Sequence, residues 1–264
     1  MKIKLFLEGL IIGLGKIIPG VSGALFAMLF GVYEQIIGCF SNPSRIFKEA
    51  NTLFPLLSGI GMAIIFGSGL ISYMLENYYA AAMSLFIGMM FYEIIPLILN
   101  VKSLTFKKRD FFEGVLAALL VLSMFLIDYK PVGVSYNSGF RVYISVFLCG
   151  ILDSIATIIP GISGTALLML FGFYEIIISS IANIYLPIVI PFLLGLLLGL
   201  VMLSKVLMHL FETKRSAMHI FIIAISSFSI VYLFIGVLEL GFNLNVIAML
   251  SIGFLIARLV DRIS

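Results

Sequence analysis

KIIPGVSGALFAMLFGVYEQII, Lys16–Ile37, returns later in the chain as TIIPGISGTALLMLFGFYEIII, Thr157–Ile178. Matching positions are shifted by 141 throughout, from Pro19 to Pro160 and from Glu34 to Glu175. At the heart of each copy, Pro19–Gly23 and Pro160–Gly164 read Pro-Gly-x-Ser-Gly between apolar flanks. Such a run is not continuous helix, because proline lacks an amide hydrogen and glycine readily leaves helical dihedrals. Backbone freed in this way inside a bilayer has to be lined by protein or water, so it marks a site. Two related breaks in one membrane chain point to a transporter assembled from repeats.

Composition supplies the membrane. Of 264 residues, 62% are hydrophobic and 11% charged, and the mean hydropathy is +1.23. Soluble domains carry roughly twice that charge. The two cysteines, Cys39 and Cys149, lie in apolar segments and read as small core residues, not as a disulfide framework or a metal site. The start, MKIKLFLEGLIIGLG, has the basic end and apolar run of a signal peptide. It lacks an A-x-A-like cleavage site and runs into the first break, so it is expected to be structural. No basic tail for nucleic acid is present, and no Ser/His/Asp set, paired-carboxylate motif or Walker sequence points to an enzyme. No metal or other cofactor is expected.

In order, the first segment runs from about Ile3 to Ile18, meets its break, and continues from Gly23 to about Phe40. Apolar segments follow at Leu53–Leu75, Tyr79–Leu99 and Phe111–Ile127, each close to the ~20 residues that cross a bilayer. The turn-rich stretch 128–140 divides the chain into repeats at 1–127 and 141–264. The second half repeats the order: Arg141–Ile159, the second break, a continuation to about Asn183, then Pro187–Phe211, Met218–Leu238 and Leu244–Val260. The likeness extends past the motif, since PLLSGIGMAIIFGSGLISYMLE from Pro55 pairs with PFLLGLLLGLVMLSKVLMHLFE from Pro191. Gly59/Ala63 and Gly195/Gly199 fall four apart there, the small-xxx-small spacing of closely packed membrane helices. The expected fold is therefore all-α, with two repeats, each a broken helical hairpin plus three transmembrane helices; the hairpins are read as re-entrant, the alternative being legs that span fully.

Basic residues set the orientation. If each broken segment enters and leaves on one side, twelve basic residues share a face: Lys2, Lys4, Arg45, Lys48, Lys102, Lys107, Lys108, Arg109, Lys214, Arg215, Arg258 and Arg262. Lys130 and Arg141 lie on the other. The positive-inside rule places the first face, with both termini, in the cytoplasm of a multi-pass plasma-membrane protein. Each half then crosses an odd number of further times, so the repeats are inverted, the layout of alternating-access carriers.

Several residues are candidates for the chemistry. A helix restarting after each break has orphan amides at its positive end, those of Val21, Ser22, Gly23 and Ala24 and of Ile162, Ser163, Gly164 and Thr165. With a serine hydroxyl and glycines this is an anion cradle for phosphate or carboxylate. The structural alternative is a kink that Ser22 and Ser163 merely cap. Lys16, three residues before Pro19, either faces that anion or snorkels to an interface. Asp153, seven residues before Pro160, either pairs with Lys16 or relays protons. Glu34 and Glu175, some ~17 Å of helix beyond their breaks, read as interfacial anchors beside a tyrosine. Glu93, within FYEIIP, either lines the cavity or belongs to a buried pair. A coupling ion, H+ or Na+, would act at one of these acids.

At the doubled motif the chain resembles the bacterial PopT-type polyprenyl-phosphate transporters, long catalogued as a domain of unknown function. The likeness covers nearly the whole chain: both motifs, the FG-x-YE that follows each, and the proline-led, glycine-rich helices after the hairpins. It implies a flippase that returns undecaprenyl phosphate or a similar lipid from the outer to the inner leaflet for cell-envelope synthesis. It also implies a head-group site at Pro19, Gly20, Val21, Ser22 and Gly23 with Pro160, Gly161, Ile162, Ser163, Gly164 and Thr165. In the family pattern the first motif continues Gly-Gly-Thr and is preceded by Asp or Asn. Here Gly23-Ala24-Leu25 follows, and Lys16 stands where the acid or amide would be. The rival reading of the residues is a carrier or channel for a small soluble anion, whose site would be closed to lipid.

Overall fold

The computed structural model describes residues 2–41, 49–101, 107–123, 139–158, 163–241 and 243–263. Every element among them is helical. The first half comprises α1 (Lys2–Ile17), α2 (Gly23–Leu29), α3 (Tyr33–Ser41), α4 (Ala50–Asn77), α5 (Tyr79–Val101) and α6 (Lys108–Ser123). The second comprises α7 (Phe140–Ile158), α8 (Gly164–Leu170), α9 (Tyr174–Ala182), α10 (Leu186–Thr213), α11 (Arg215–Glu239) and α12 (Leu244–Ile263). Helices α4, α5, α7, α10 and α11 each hold a stretch long and apolar enough to cross a membrane, and the bent pair α8–α9 makes a sixth candidate. Large side chains such as Phe54, Phe66 and Leu244 face outward, as lipid contact requires. The dividing stretch 128–138, Pro160, Gly161, Ile162, and the loop residues Arg45, Lys48 and Lys102 lie outside the described residues.

One expectation fails. The segment after each break is not one helix reaching Phe40 or Asn183, but two short ones. α2 ends at Leu29 and α8 at Leu170, and Gly31 and Gly172 follow at φ of 71° and 70°. The amide of Val32 bonds the Ala27 carbonyl at 2.9 Å, and that of Gly31 the Met28 carbonyl at 3.0 Å. Phe173 to Leu168 and Gly172 to Met169 repeat this at 2.9 Å each. This is a Schellman stop, which needs a left-handed residue just past the last turn, and glycine provides it without strain. α8 and α9 meet at 116°. Glu34 and Glu175 therefore do not stand ~17 Å along a straight helix from the breaks; each opens the first turn of α3 or α9.

The helices pack in pairs that match between the halves. α1 lies along α4, and α7 along α10; α9 touches α4, and α3 touches α10. α1 meets α8, α2 meets α7, α5 packs on α12, and α11 packs on α6. Small residues set the closest crossings. A Cβ at Gly9 would fall on the Leu56 carbonyl and one at Gly59 on that of Phe6. Gly150 against Phe192 and Gly195 against Phe147 repeat the arrangement. Without a hydrophobic force between helices in lipid, such close van der Waals approach is what holds them. Both cysteines are buried.

Candidate functional site: the meeting of the two helix breaks

α1 stops at Ile17 because Pro19 has no amide for the next helical bond. Gly20 turns the chain at φ 77° and rests on the backbone of Met89–Met90 in α5, where an added Cβ would come within 2.5 Å of the Met90 nitrogen. Ser22 and Ser163 are extended and start the next helices. Gly23 and Gly164 open those helices against the legs that precede the breaks. A Cβ on Gly23 would sit 2.8 Å from the Ile12 carbonyl oxygen, and one on Gly164 would strike the Asp153 carboxylate.

These turns bring α1, α7 and α8 together around a polar cluster. The Lys16 ammonium lies 2.8 Å from Asp153 Oδ2 and donates to Asp153 Oδ1 at 2.9 Å. It also donates to Thr157 Oγ1 at 2.6 Å. Asp153 and Thr157 stand one turn apart on α7, so both reach the same cation. Asp153 is 2% exposed and the Lys16 side chain 24%. The Lys16 charge therefore turns towards α7, to Asp153 and Thr157. From the first break, the Gly20 amide donates to Ser163 Oγ at 3.4 Å. Ser163 Oγ also lies 2.9 Å from Thr165 Oγ1 and accepts the Ala166 amide at 3.3 Å.

The two serines are not equivalent. Ser163 caps its helix, whereas the buried Ser22 hydroxyl has no partner among the described residues and makes no cap bond. The Val21 amide, expected to be an orphan, bonds the Ile18 carbonyl at 3.3 Å. The amides of Ser22, Gly23 and Ala24 precede the first i to i−4 bond of α2, made by Phe26 to Ser22. The Lys16 ammonium with the Thr157, Ser163 and Thr165 hydroxyls where α1, α7 and α8 meet can hold an oxyanion, with Asp153 as the resident counter-charge.

Sequence reasoning missed a reciprocal brace. Tyr174 donates its hydroxyl to the Ile17 carbonyl at 2.8 Å, and Tyr33 donates to the Ile158 carbonyl. Tyr33 and Tyr174 occupy the same repeat position, as do Ile17 and Ile158. Each tyrosine thus satisfies a carbonyl left open at the end of the other repeat's leading helix. The signal was present in the doubled FG-x-YE, whose tyrosine recurs beside its glutamate.

Glu34 and Glu175 are exposed at helix starts, where a carboxylate complements the helix dipole. Glu175 lies against the Tyr79 hydroxyl. Glu93 stands one turn beyond Met89–Met90, the seat of Gly20, and its Oε1 is buried with no partner among the described residues. The described residues hold no group of three or more His, Cys, Asp or Glu able to bind a metal.

A family profile described as VCA0040-like, undecaprenyl phosphate translocase-like, matches residues 12–243. The chain belongs to that family. The matched span includes both breaks, Lys16, Asp153, Thr157 and the two bracing tyrosines. The polyprenyl-phosphate transporter of Vibrio cholerae serotype O1 is 27% identical over 225 residues, covering 80% of this chain and 70% of that protein. The polyprenyl-phosphate transporter of Staphylococcus aureus (strain NCTC 8325 / PS 47) is 26% identical over 217 residues, covering 77% of this chain and 76% of that one. No solved structure matches the chain.

Proposed function

We propose that this chain is a plasma-membrane flippase that carries undecaprenyl phosphate, or a similar polyprenyl phosphate, from the outer to the inner leaflet. The phosphate head sits where the two breaks meet. The observation that carries this is Lys16, an ammonium held inside an apolar bundle at the junction of both breaks by Asp153 and Thr157 of the other half. A lysine at that depth is costly and belongs to a site. A lipid phosphate keeps its tail in the bilayer, so only its charged head needs a polar path. The head reaches Lys16 by displacing the Asp153 carboxylate, then gains the Ser22, Ser163 and Thr165 hydroxyls as partners. Release restores the Lys16–Asp153 pair.

The repeat-matched helix contacts support a pseudo-two-fold arrangement of inverted repeats, and hence alternating access. The salt bridges of Glu113 to Arg109 at 2.8 Å and to Lys214 at 2.6 Å gather two of the basic clusters at one end. That supports a cytoplasmic face there, with the termini on the same side.

Purified protein in liposomes containing a fluorescent polyprenyl phosphate tests the reading. The expected result is protein-dependent movement of the lipid between leaflets, with no uptake of inorganic phosphate. Uptake of inorganic phosphate without lipid movement would replace it with the soluble-anion carrier.

A further inference from the structure

Glu34 and Glu175 hold matched positions in the doubled FG-x-YE, yet their surroundings differ. The Glu175 carboxylate accepts the Tyr79 hydroxyl. Tyr79 opens α5 two residues after α4 ends, and Arg215 opens α11 two residues after α10 ends. α4 and α10 are each 28 residues long, and the register that pairs Pro55 with Pro191 also pairs Tyr79 with Arg215. The counterpart of the Tyr79–Glu175 contact is therefore Arg215 with Glu34, a guanidinium opposite a carboxylate. That contact is not made. Both residues are exposed, and neither side chain has an ion pair or hydrogen bond among the described residues.

The frame around the missing contact is complete in both halves. Gly9 against Leu56 and Gly59 against Phe6 match Gly150 against Phe192 and Gly195 against Phe147. Tyr174, beside Glu175, holds the end of α1, and Tyr33, beside Glu34, holds the end of α7. α1 lies along α4 and α7 along α10, so the brace that brings Glu175 to Tyr79 points Glu34 towards Arg215. What differs is the short helix before each glutamate. Met169 and Leu170 of α8 are 5% and 2% exposed, whereas the identical residues of α2, Met28 and Leu29, are 50% and 45% exposed. One hairpin is docked, and the other is braced but stands out from the bundle.

We propose that Glu34 and Arg215 pair when α2 and α3 dock, closing the face that carries Lys214, while the Tyr79–Glu175 contact opens; this rests on the transport function proposed above. The present structure is then the state closed at Tyr79–Glu175 and open at Arg215. An exposed ion pair shifts an equilibrium by about fivefold or less. A gate needs a contact of that strength, because one that favoured a single state far more would hold the carrier there.

Glu34→Arg and Arg215→Glu each set like charges together, and the double variant restores the pair with its ends exchanged. The readout is movement of a fluorescent polyprenyl phosphate in liposomes that contain the purified full-length chain. Each single variant should be about three- to tenfold slower, and the double variant should return to within about twofold of wild type. In a second arm, Glu34→Cys with Arg215→Cys is oxidised. The disulfide should form, stop lipid movement, and release it on reduction. Where a reversed charge prevents insertion, the disulfide arm decides. A double variant as slow as the singles, a disulfide that never forms, or lipid movement that continues through it overturns the gate. The proposed function stands in each of those cases, because the wild type still moves lipid. A wild type that moves none sinks both.

Discussion

Lys16 and Asp153 form an ion pair whose carboxylate is closed to water, and such pairs respond unequally to losing one partner or both. Lys16→Gln leaves the Asp153 carboxylate buried beside Thr157 with no cation, which costs up to about 3 kcal/mol of stability. In the proposed site it also sets a bare negative charge against the incoming phosphate. The expected outcome is a ten- to hundredfold weaker Kd for a short polyprenyl phosphate, about 1–3 kcal/mol. Lys16→Gln with Asp153→Asn should recover most of the stability and part of the affinity, since no uncompensated charge remains. A Kd unchanged in Lys16→Gln would remove the lysine from the site. Both charges were legible in the sequence because each interrupts an apolar run. Thr157 was not: a threonine in a membrane helix has an ordinary role in bonding the carbonyl one turn back. It does so here as well, to Asp153 at 2.9 Å. Ser22 and Ser163 look alike in sequence and differ only in what surrounds them. Leucine at either should abolish lipid-phosphate flux while the protein still inserts, and wild-type flux would make the motif a simple kink.

At the scale of elements, each break is held by a tyrosine from the opposite half. Tyr174 is 1% exposed, so Tyr174→Phe strands the Ile17 carbonyl at about 1–3 kcal/mol. Thermal unfolding in detergent should show a Tm lower by roughly 3–8 °C. Tyr33→Phe should cost less, because Tyr33 is half-buried. Equal, negligible shifts for both would deny the brace. The glycines sort in the same way. Gly195→Ala drives a methyl into the Phe147 carbonyl and should destabilise by about 1–3 kcal/mol through forced separation of α7 and α10. Gly61→Ala meets nothing within 4 Å and should be neutral or slightly stabilising. The sequence made the proline breaks and the small-residue crossings plain, since both depend on residue type at fixed spacing. It hid the stops at Gly31 and Gly172, because apolar residues continue across them and a lone glycine in a membrane helix is common.

The whole molecule is two halves whose helices exchange partners. α5 of one packs on α12 of the other, and α11 on α6. The shift of 141 positions between the two motif copies is plain in the sequence, but this exchange of helix partners was not, because it follows from how the helices meet in three dimensions. The proposed topology gives a direct prediction. Cys39 and Cys149 are buried at 6% and 3% exposure, so a polar thiol reagent should ignore them. Introduced at Lys107 or Lys214, cysteine should label from the cytoplasm; at Arg141, from outside. The reverse pattern would invert the protein and the direction of transport assigned to it. The claim beneath all of this is that one phosphate meets both breaks at once. A polyprenyl phosphate carrying a photoreactive group beside its phosphate, cross-linked to the purified protein and mapped by mass spectrometry, tests that claim most directly. The account predicts adducts at the end of α1 around Lys16, on α7 around Asp153–Thr157, and at the starts of α2 and α8. Adducts confined to the basic loops, or to one break alone, would contradict it.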